Sequence, residues 1–289
     1  MTCAIGLDIG GTKIAGGVVD PSGKVLHYQS VPTGASRTGE AVLTDALALV
    51  YQLIEEAGQT GTMVSGIGIS ICELVNAKGD ITSEHTIRWM HLPVKETFGR
   101  IAPVKIESDV RAHALAEARF GAGRNSQDFV YISAGTGISS CLVQDGKPYT
   151  GARGNALVLS TMPITVYDDQ ERRIEFTLES FASGAGLIER YRKKGFPVSR
   201  VEEIVADAEA GNAAAIHILN SGGESLGSAI AWLVNVLDPE VLITGGGLGL
   251  ADGRYRENMI KSIRSGVFAT DTREVPVLKA GCGQQAGVI

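Results

Sequence analysis

Asp8-Ile9-Gly10-Gly11-Thr12-Lys13-Ile14 sits between two short apolar runs, residues 4–8 and 14–19, and its pattern returns at Ile132-Ser133-Ala134-Gly135-Thr136-Gly137-Ile138. In both copies a strand-like run enters a Gly-Thr turn, leaves as a second run and meets a Gly-Lys turn. That second turn is Pro21-Ser22-Gly23-Lys24 in the first copy and Asp145-Gly146-Lys147 in the second. Pro, Ser, Asp and Gly supply turn chemistry, and β-branched flanks suit hairpin strands. Repetition over this length marks an internal duplication. It predicts two similar α/β lobes, residues 1–121 and 122–289, each offering a Gly-Thr turn to a cleft at their interface. The stretch Arg119-Phe120-Gly121-Ala122-Gly123-Arg124, just before the second copy, is the expected hinge.

Working outward, residues 40–56 place Val42, Leu43, Ala46, Leu47, Val50, Leu53 and Ile54 at helical spacing, with Gly58 as a stop. A buried strand is expected at 64–71, and another over 104–109 gives way to a helix at 110–119. In the second half the pattern predicts one helix over 177–194 and another opened by a Ser199-to-Glu202 capping box. A long Ala-rich helix follows over 212–237, then a strand at 241–244 ending in Gly245-Gly246-Gly247, a helix at 255–265 and a last strand at 275–278.

The 289 residues carry 26 Lys+Arg against 32 Asp+Glu, a formal net charge of -6, with no basic run longer than Arg192-Lys193-Lys194. Neither a nucleic-acid nor an anionic-membrane surface is the expected partner. Apolar stretches fall short of the roughly 18–20 residues that cross a bilayer, and no secretory pattern opens the chain, so a cytoplasmic protein is expected. Four scattered cysteines, Cys3, Cys72, Cys141 and Cys282, form neither a disulfide framework nor metal-ligand spacing. The partner is expected to be a small molecule.

Glycines at Gly10 and Gly11 let backbone approach a ligand, successive amides at such a turn form an anion-binding concavity, and Thr12 and Lys13 add donors. A carboxylate at Asp8 repels phosphate and makes sense as an outer, water-mediated ligand of Mg²⁺. One Gly-Gly-Thr alone reads as an ordinary hairpin turn; its repetition at Gly135, Thr136 and Gly137, with Gly245 and Gly246 placed for a nucleoside, fits a bound nucleoside triphosphate. Neither a Walker A loop nor a dinucleotide fingerprint is present. Asp109, at a strand-to-helix joint, reads either as a helix cap with Ser108 or as a general base. Trp89 and Trp232 read as core, and the Arg190-to-Lys194 run as the solvated end of a helix.

Taken together, Asp8-Ile-Gly-Gly-Thr-Lys13, Glu107-Ser-Asp109 with the following Ala114-to-Gly123 helix, Gly135-Thr136-Gly137, Leu178-Glu179-x-x-Ala182-Ser183-Gly184 and Pro239-to-Gly247 resemble the ROK family of bacterial sugar kinases. The resemblance implies a two-lobed actin-like ATPase fold, duplicated and ribonuclease H-like, with the sugar side in the first lobe and the nucleotide side in the second. It implies ATP and Mg²⁺ as cofactors, Asp109 as the base, Ser108, Asp109, Glu179, Asn155 and Glu84 toward the sugar, and a homodimer.

The chain also departs from the family pattern. Gly-Glu-x-Gly-His and a cysteine-rich zinc loop are typical there, but residues 151–176 hold no cysteine. Val158 stands where the sugar-binding Glu is found, Thr161 where the His is, and Ser108 where an Asn precedes the catalytic Asp. No zinc site is expected. A hydroxyl-binding site that loses its polar partners is no longer matched to that hydroxyl. The substrate implied is therefore a modified hexose phosphorylated on its primary hydroxyl, such as an amino sugar like kanosamine, or a C7-type cyclitol, with Glu73 and Glu84 available to meet an ammonium group. A catalytically inactive sugar- and nucleotide-binding pseudokinase is the alternative. A repressor is not, because the first turn begins at residue 8 and leaves no room for a DNA-binding segment ahead of it.

Overall fold

Residues 2–34, 37–167 and 170–289 are described by a computed structural model. The chain forms two compact units, one of Met1–Asn125, Val143–Ala156 and Gly281–Ile289, the other of Ser126–Leu142 and Leu157–Ala280. The segments 143–156 and 281–289, expected within the second lobe, thus group with the first.

The first unit runs β1 (Thr2–Ile9), β2 (Lys13–Val19), β3 (Val25–Pro32), α1 (Gly39–Gln59), β4 (Met63–Ile71), α2 (Val94–Gly99), β5 (Val104–Ser108) and α3 (Asp109–Phe120). Its sheet has the order β3-β2-β1-β4-β5. The first three strands are antiparallel neighbours, and β1, β4 and β5 run parallel. Thr38 caps α1 by accepting the Ala41 amide at 3.3 Å. Along α1 the buried Val42, Ala46, Leu49, Val50 and Leu53 recur at helical spacing and pack on Ile5, Leu7, Ile9 and Ile14 of the sheet. Trp89 lies in this core, its indole N–H donating to the Gly39 carbonyl at 2.9 Å.

Further along come β6 (Phe129–Ala134), β7 (Ile138–Gln144), β8 (Lys147–Pro148), β9 (Pro163–Tyr167), β10 (Arg173–Thr177), α4 (Leu178–Ala182), α5 (Gly184–Lys193), α6 (Val201–Glu209), α7 (Ala213–Leu237), β11 (Val241–Gly245), α8 (Gly246–Leu250), α9 (Arg254–Gly266) and β12 (Val277–Lys279). The chain changes units within β7. Read from its outer hairpin, this sheet is β8-β7-β6-β11-β12. Numbered by appearance, both sheets have the strand order 3-2-1-4-5, so the sequence repeat is a repeat of topology. Gly223 and Gly227 let α7 lie backbone to backbone on α9, since a Cβ at either would stand 2.2 Å from the Tyr255 or Met259 carbonyl oxygen.

Several local expectations need correction. The single helix over 177–194 is two: Ser183 adopts extended backbone between α4 and α5, and its hydroxyl accepts the Gly186 amide at 3.1 Å. The capping carboxylate of α6 is Glu203, not Glu202; it accepts the amides of Ser199 at 2.6 Å and Arg200 at 3.2 Å. Pro163–Tyr167 and Arg173–Thr177 pair as the antiparallel strands β9 and β10, which the pattern did not suggest. Trp232 is 63% exposed rather than core. The run after Arg190 is only partly solvated: Tyr191 is fully buried, and the Arg190 guanidinium lies 3.6 Å from the Phe181 ring centre. Burial there lowers the Arg190 pKa to about 10.

Candidate active site

Three parallel strands of the first unit end at one level, where β1 and β4 pair Asp8 with Ser70 and β4 and β5 pair Ile71 with Ser108. Carboxyl ends of parallel strands are where such sheets collect their chemistry. The Ser70 hydroxyl donates to Asp8 Oδ1 at 3.2 Å. Gly287 packs against the same carboxylate, and a Cβ there would stand 2.5 Å from Asp8 Cγ. Residues 286–288 can therefore run alongside β1 only with glycine at that point.

Ser108 occupies the N-cap position of α3, yet its side chain makes no capping bond. It is 6% exposed, and its hydroxyl has no hydrogen-bond partner among the described residues. Asp109 follows as the first helical residue, with Oδ1 accepting the Val110 amide at 2.6 Å. At this joint the local acceptor is therefore Asp109, which takes the amide of the second helical residue, while Ser108 in the N-cap position takes none.

Burial pushes the Asp109 carboxyl above its ordinary range, and the charges of Asp8 and Glu73 add to this; His113 and the Val110 amide pull the other way. The Cys72 thiol is pushed up to about 12 by burial first, then by Asp109, Glu73 and Asp8. Asp8, Cys72, Glu73 and Asp109 therefore share one electrostatic neighbourhood. A carboxyl made harder to ionise beside other carboxylates is the profile of a poised proton acceptor.

Glu73 is not available for an ammonium group. It is 5% exposed and accepts the Ser83 hydroxyl together with the amides of His85 at 3.0 Å, Thr86 at 2.5 Å and Ile87 at 2.7 Å. Its carboxylate is the anchor of residues 83–87, and it holds Thr86 against the first turn, where a Cβ on Gly11 would meet Thr86 Cγ2. Glu84, on the same loop, is exposed, as is Asn155. The segment carrying Asn155 is fixed by Arg111, which donates to the carbonyls of Gly154 and Val75 at 2.5 Å each and to Glu107 at 2.6 Å. Neither Arg111 nor the anchoring role of Glu73 was visible in local sequence, since Arg111 reaches carbonyls 43 and 36 residues away and Glu73 takes its donors from 10–14 residues further along.

At the first turn the Gly10 amide donates to the Lys13 carbonyl at 3.0 Å, closing the loop, while no acceptor faces the amides of Gly11 and Thr12 among the described residues. Lys13 is exposed. The second unit builds its turn differently. Gly135 donates to the Gly137 carbonyl at 2.9 Å, and the Gly135 and Thr136 carbonyls accept the Gly184 and Ala185 amides at 2.8 and 3.2 Å. These donors open α5, so the break at Ser183 is what aims them at the turn. A peptide's C=O and N–H point opposite ways, so drawing those two carbonyls toward α5 turns the Thr136 and Gly137 amides away from it. Glu179 braces the next residue, Oε2 accepting the Ile138 amide at 2.8 Å. Gly245 and Gly246 lie between β11 and α8, with Gly246 at φ +76°. Val158 is 42% exposed, and the Thr161 hydroxyl is turned back to the Val158 carbonyl at 3.0 Å.

Among the described residues no group of three or more His, Cys, Asp or Glu side chains could hold a metal ion unaided. A lone carboxylate such as Asp8 suits a Mg²⁺ that arrives on phosphate and keeps its waters, which takes one or two carboxylates rather than a cage. A cavity of about 900 Å³ in the first unit, lined by β1, β4, β5, α3 and residues 286–289, includes none of Asp8, Gly10, Gly11, Thr12 or Asp109.

A model of the ROK family matches residues 4–289. A glucokinase of Streptomyces coelicolor is 29% identical, with 100% of this chain and 96% of that protein covered. An N-acetylmannosamine kinase of Salmonella typhi is 28% identical over 86% of this chain and 84% of its own. The solved structure of a ROK family glucokinase from Streptomyces griseus, in complex with glucose and AMPPNP, superposes with a TM-score of 0.81 at 28% identity, covering 99% of this chain and 96% of that one.

Proposed function

The chain belongs to the ROK family, and from that premise we propose that it is an ATP-dependent carbohydrate kinase that phosphorylates the primary hydroxyl of a modified hexose, an amino sugar or a cyclitol. The observation that carries the reading is the pair at the start of α3: a buried, unpartnered Ser108 hydroxyl next to Asp109, whose carboxyl burial holds above its usual range. A buried hydroxyl without a partner costs free energy in the empty protein, and a ring hydroxyl would satisfy it. Resemblance to kinases named for glucose and for N-acetylmannosamine supports the carbohydrate acceptor.

In phosphoryl transfer the protein mainly positions reactants and offsets charge. The amides of Gly11 and Thr12, and those of Thr136 and Gly137, donate to phosphate oxygens. Asp109 accepts the proton of the attacking hydroxyl. Asp8 would hold a Mg²⁺ arriving with the nucleotide, which would supply charge neutralisation on the phosphates. Glu84, Asn155 and Glu179 are carried forward as sugar contacts, Glu179 using the oxygen not bonded to Ile138. Val158 offers no hydrogen bond and Thr161 spends its hydroxyl locally, which supports a ring altered at one or more hydroxyls. We also propose a homodimer working in the cytoplasm.

The test is Asp109→Asn, which keeps shape and the bond to Val110 but removes the proton acceptor. A positioned general base contributes roughly 10²–10⁴-fold, so kcat should fall by about that factor with sugar and nucleotide affinities little changed. Near-normal turnover in the folded variant would remove Asp109 as the base. Binding of sugar and nucleotide by a wild type without turnover would favour the pseudokinase.

A further inference from the structure

Thr33 follows the end of β3 and is 2% exposed. Its amide donates to the Thr12 carbonyl at 3.0 Å and its hydroxyl to the Gly10 carbonyl at 2.6 Å. One residue, just past a strand that carries none of the expected site residues, thus holds two of the carbonyls of the first phosphate turn. We propose that Thr33 is the positioning residue of the Gly10-Gly11-Thr12 turn, and that its hydroxyl sets the direction of the amide that receives nucleotide phosphate.

The Gly10 carbonyl and the Gly11 N–H belong to one rigid unit and point opposite ways. Drawing that oxygen toward the buried Thr33 hydroxyl turns the Gly11 amide outward, where it meets no acceptor among the described residues. Without the hydroxyl, a glycine-rich turn is free to rotate this peptide plane, because glycine adopts both signs of φ with little penalty. The second unit reaches the same end with other groups: the two amides that open α5 hold the Gly135 and Thr136 carbonyls. Two turns of one duplicated pattern with their carbonyls fastened, one by a side chain and its own amide and one by a helix terminus, argue that the fastening serves the turns' amides. The inference rests on the kinase reading, because it presumes that the outward amides bind phosphate.

Calorimetric titration of wild type, Thr33→Val, Thr33→Ala and Thr33→Ser with adenosine and with AMPPNP tests it. Val keeps the shape and removes the hydroxyl, Ala removes it without bulk, and Ser restores it. Loss of one hydrogen bond predicts about tenfold weaker AMPPNP binding in Val and Ala, with adenosine affinity within about twofold and recovery in Ser. In steady state, KM for ATP should rise while KM for sugar holds. Unchanged AMPPNP binding in Val and Ala would overturn the proposal, as would equal losses for adenosine and AMPPNP or no recovery in Ser. A wild type that binds neither ligand would instead overturn the kinase reading, and the inference with it.

Discussion

At the scale of one residue, Asp109 carries opposite demands. Burial raises its folded-state pKa above the ordinary carboxylate value, and Asp8 and Glu73 reinforce the shift. A base acts only when deprotonated, so the acid limb of kcat should lie at a higher pH than an unperturbed carboxylate would give. Stability has the matching sign. The folded state disfavours the ionised form, so the charge costs stability above the folded pKa, and that cost disappears as pH falls through it. Asp109→Asn should therefore melt at a higher temperature than wild type at neutral pH, with the gap closing on acidification. A variant that melts lower at neutral pH would show the carboxylate to be a structural acceptor. Proteins often hold such strain where they act.

Among the elements, α3 reaches distant parts of the first unit through Arg111 and Glu117. Its Glu117, fully buried, accepts the amides of Ala122 at 2.7 Å, Gly281 at 2.9 Å and Cys282 at 2.8 Å. One carboxylate thus fastens the chain just before it first leaves this unit to the chain just after its last return. Glu117→Ala strands three backbone donors and should cost about 2–4 kcal/mol. Burial, then Glu117, pushes the Cys282 thiol up to about 12. Faster labelling of Cys282 by a disulfide reagent at neutral pH should accompany the lowered melting temperature. Unchanged melting and labelling would mean that residues 281–289 are held by other contacts.

The elements also show what could be read from sequence. Both Gly-Thr turns, the duplication and the strand-to-helix joint at Asp109 are local patterns, and local patterns survive folding. Leu178 and Ala182, and then Leu187 and Tyr191, are buried at a spacing of four on either side of Ser183, but the step from Ala182 to Leu187 is five residues, a jump of helical phase that marks the break and that the reading of one helix passed over. Only the bonds from Gly184 and Ala185 to the second turn explain why the helix stops and restarts. Glu73 looked like a free loop carboxylate for the same reason, since its four donors come from residues 83–87. Ser108 was legible as a substitution at a family position, but its failure to cap α3 needed coordinates. Trp232 continues the apolar pattern of α7 yet faces outward.

For the whole molecule, two five-stranded sheets share one strand order, and each Gly-Thr turn has its carbonyls fastened from within its own unit. The net charge is -6, and among the described residues no helix is long and apolar enough to cross a membrane. On the proposed reading, acceptor choice is assigned to Ser108, Val158 and Thr161, the positions at which the sequence reading finds polar groups of the family pattern replaced. A site that has lost hydroxyl partners rejects the fully hydroxylated ring less by clash than by unpaired polar groups. The most direct measurement is initial-rate ADP formation by the wild-type protein with ATP and Mg²⁺ across glucose, amino sugars, deoxy sugars and cyclitols. Acceptor-dependent ADP formation, with kcat/KM highest for a ring altered at one or more hydroxyls and glucose well below it, is the predicted result; no acceptor raising ADP above the water background, or glucose giving the highest kcat/KM, would contradict the account.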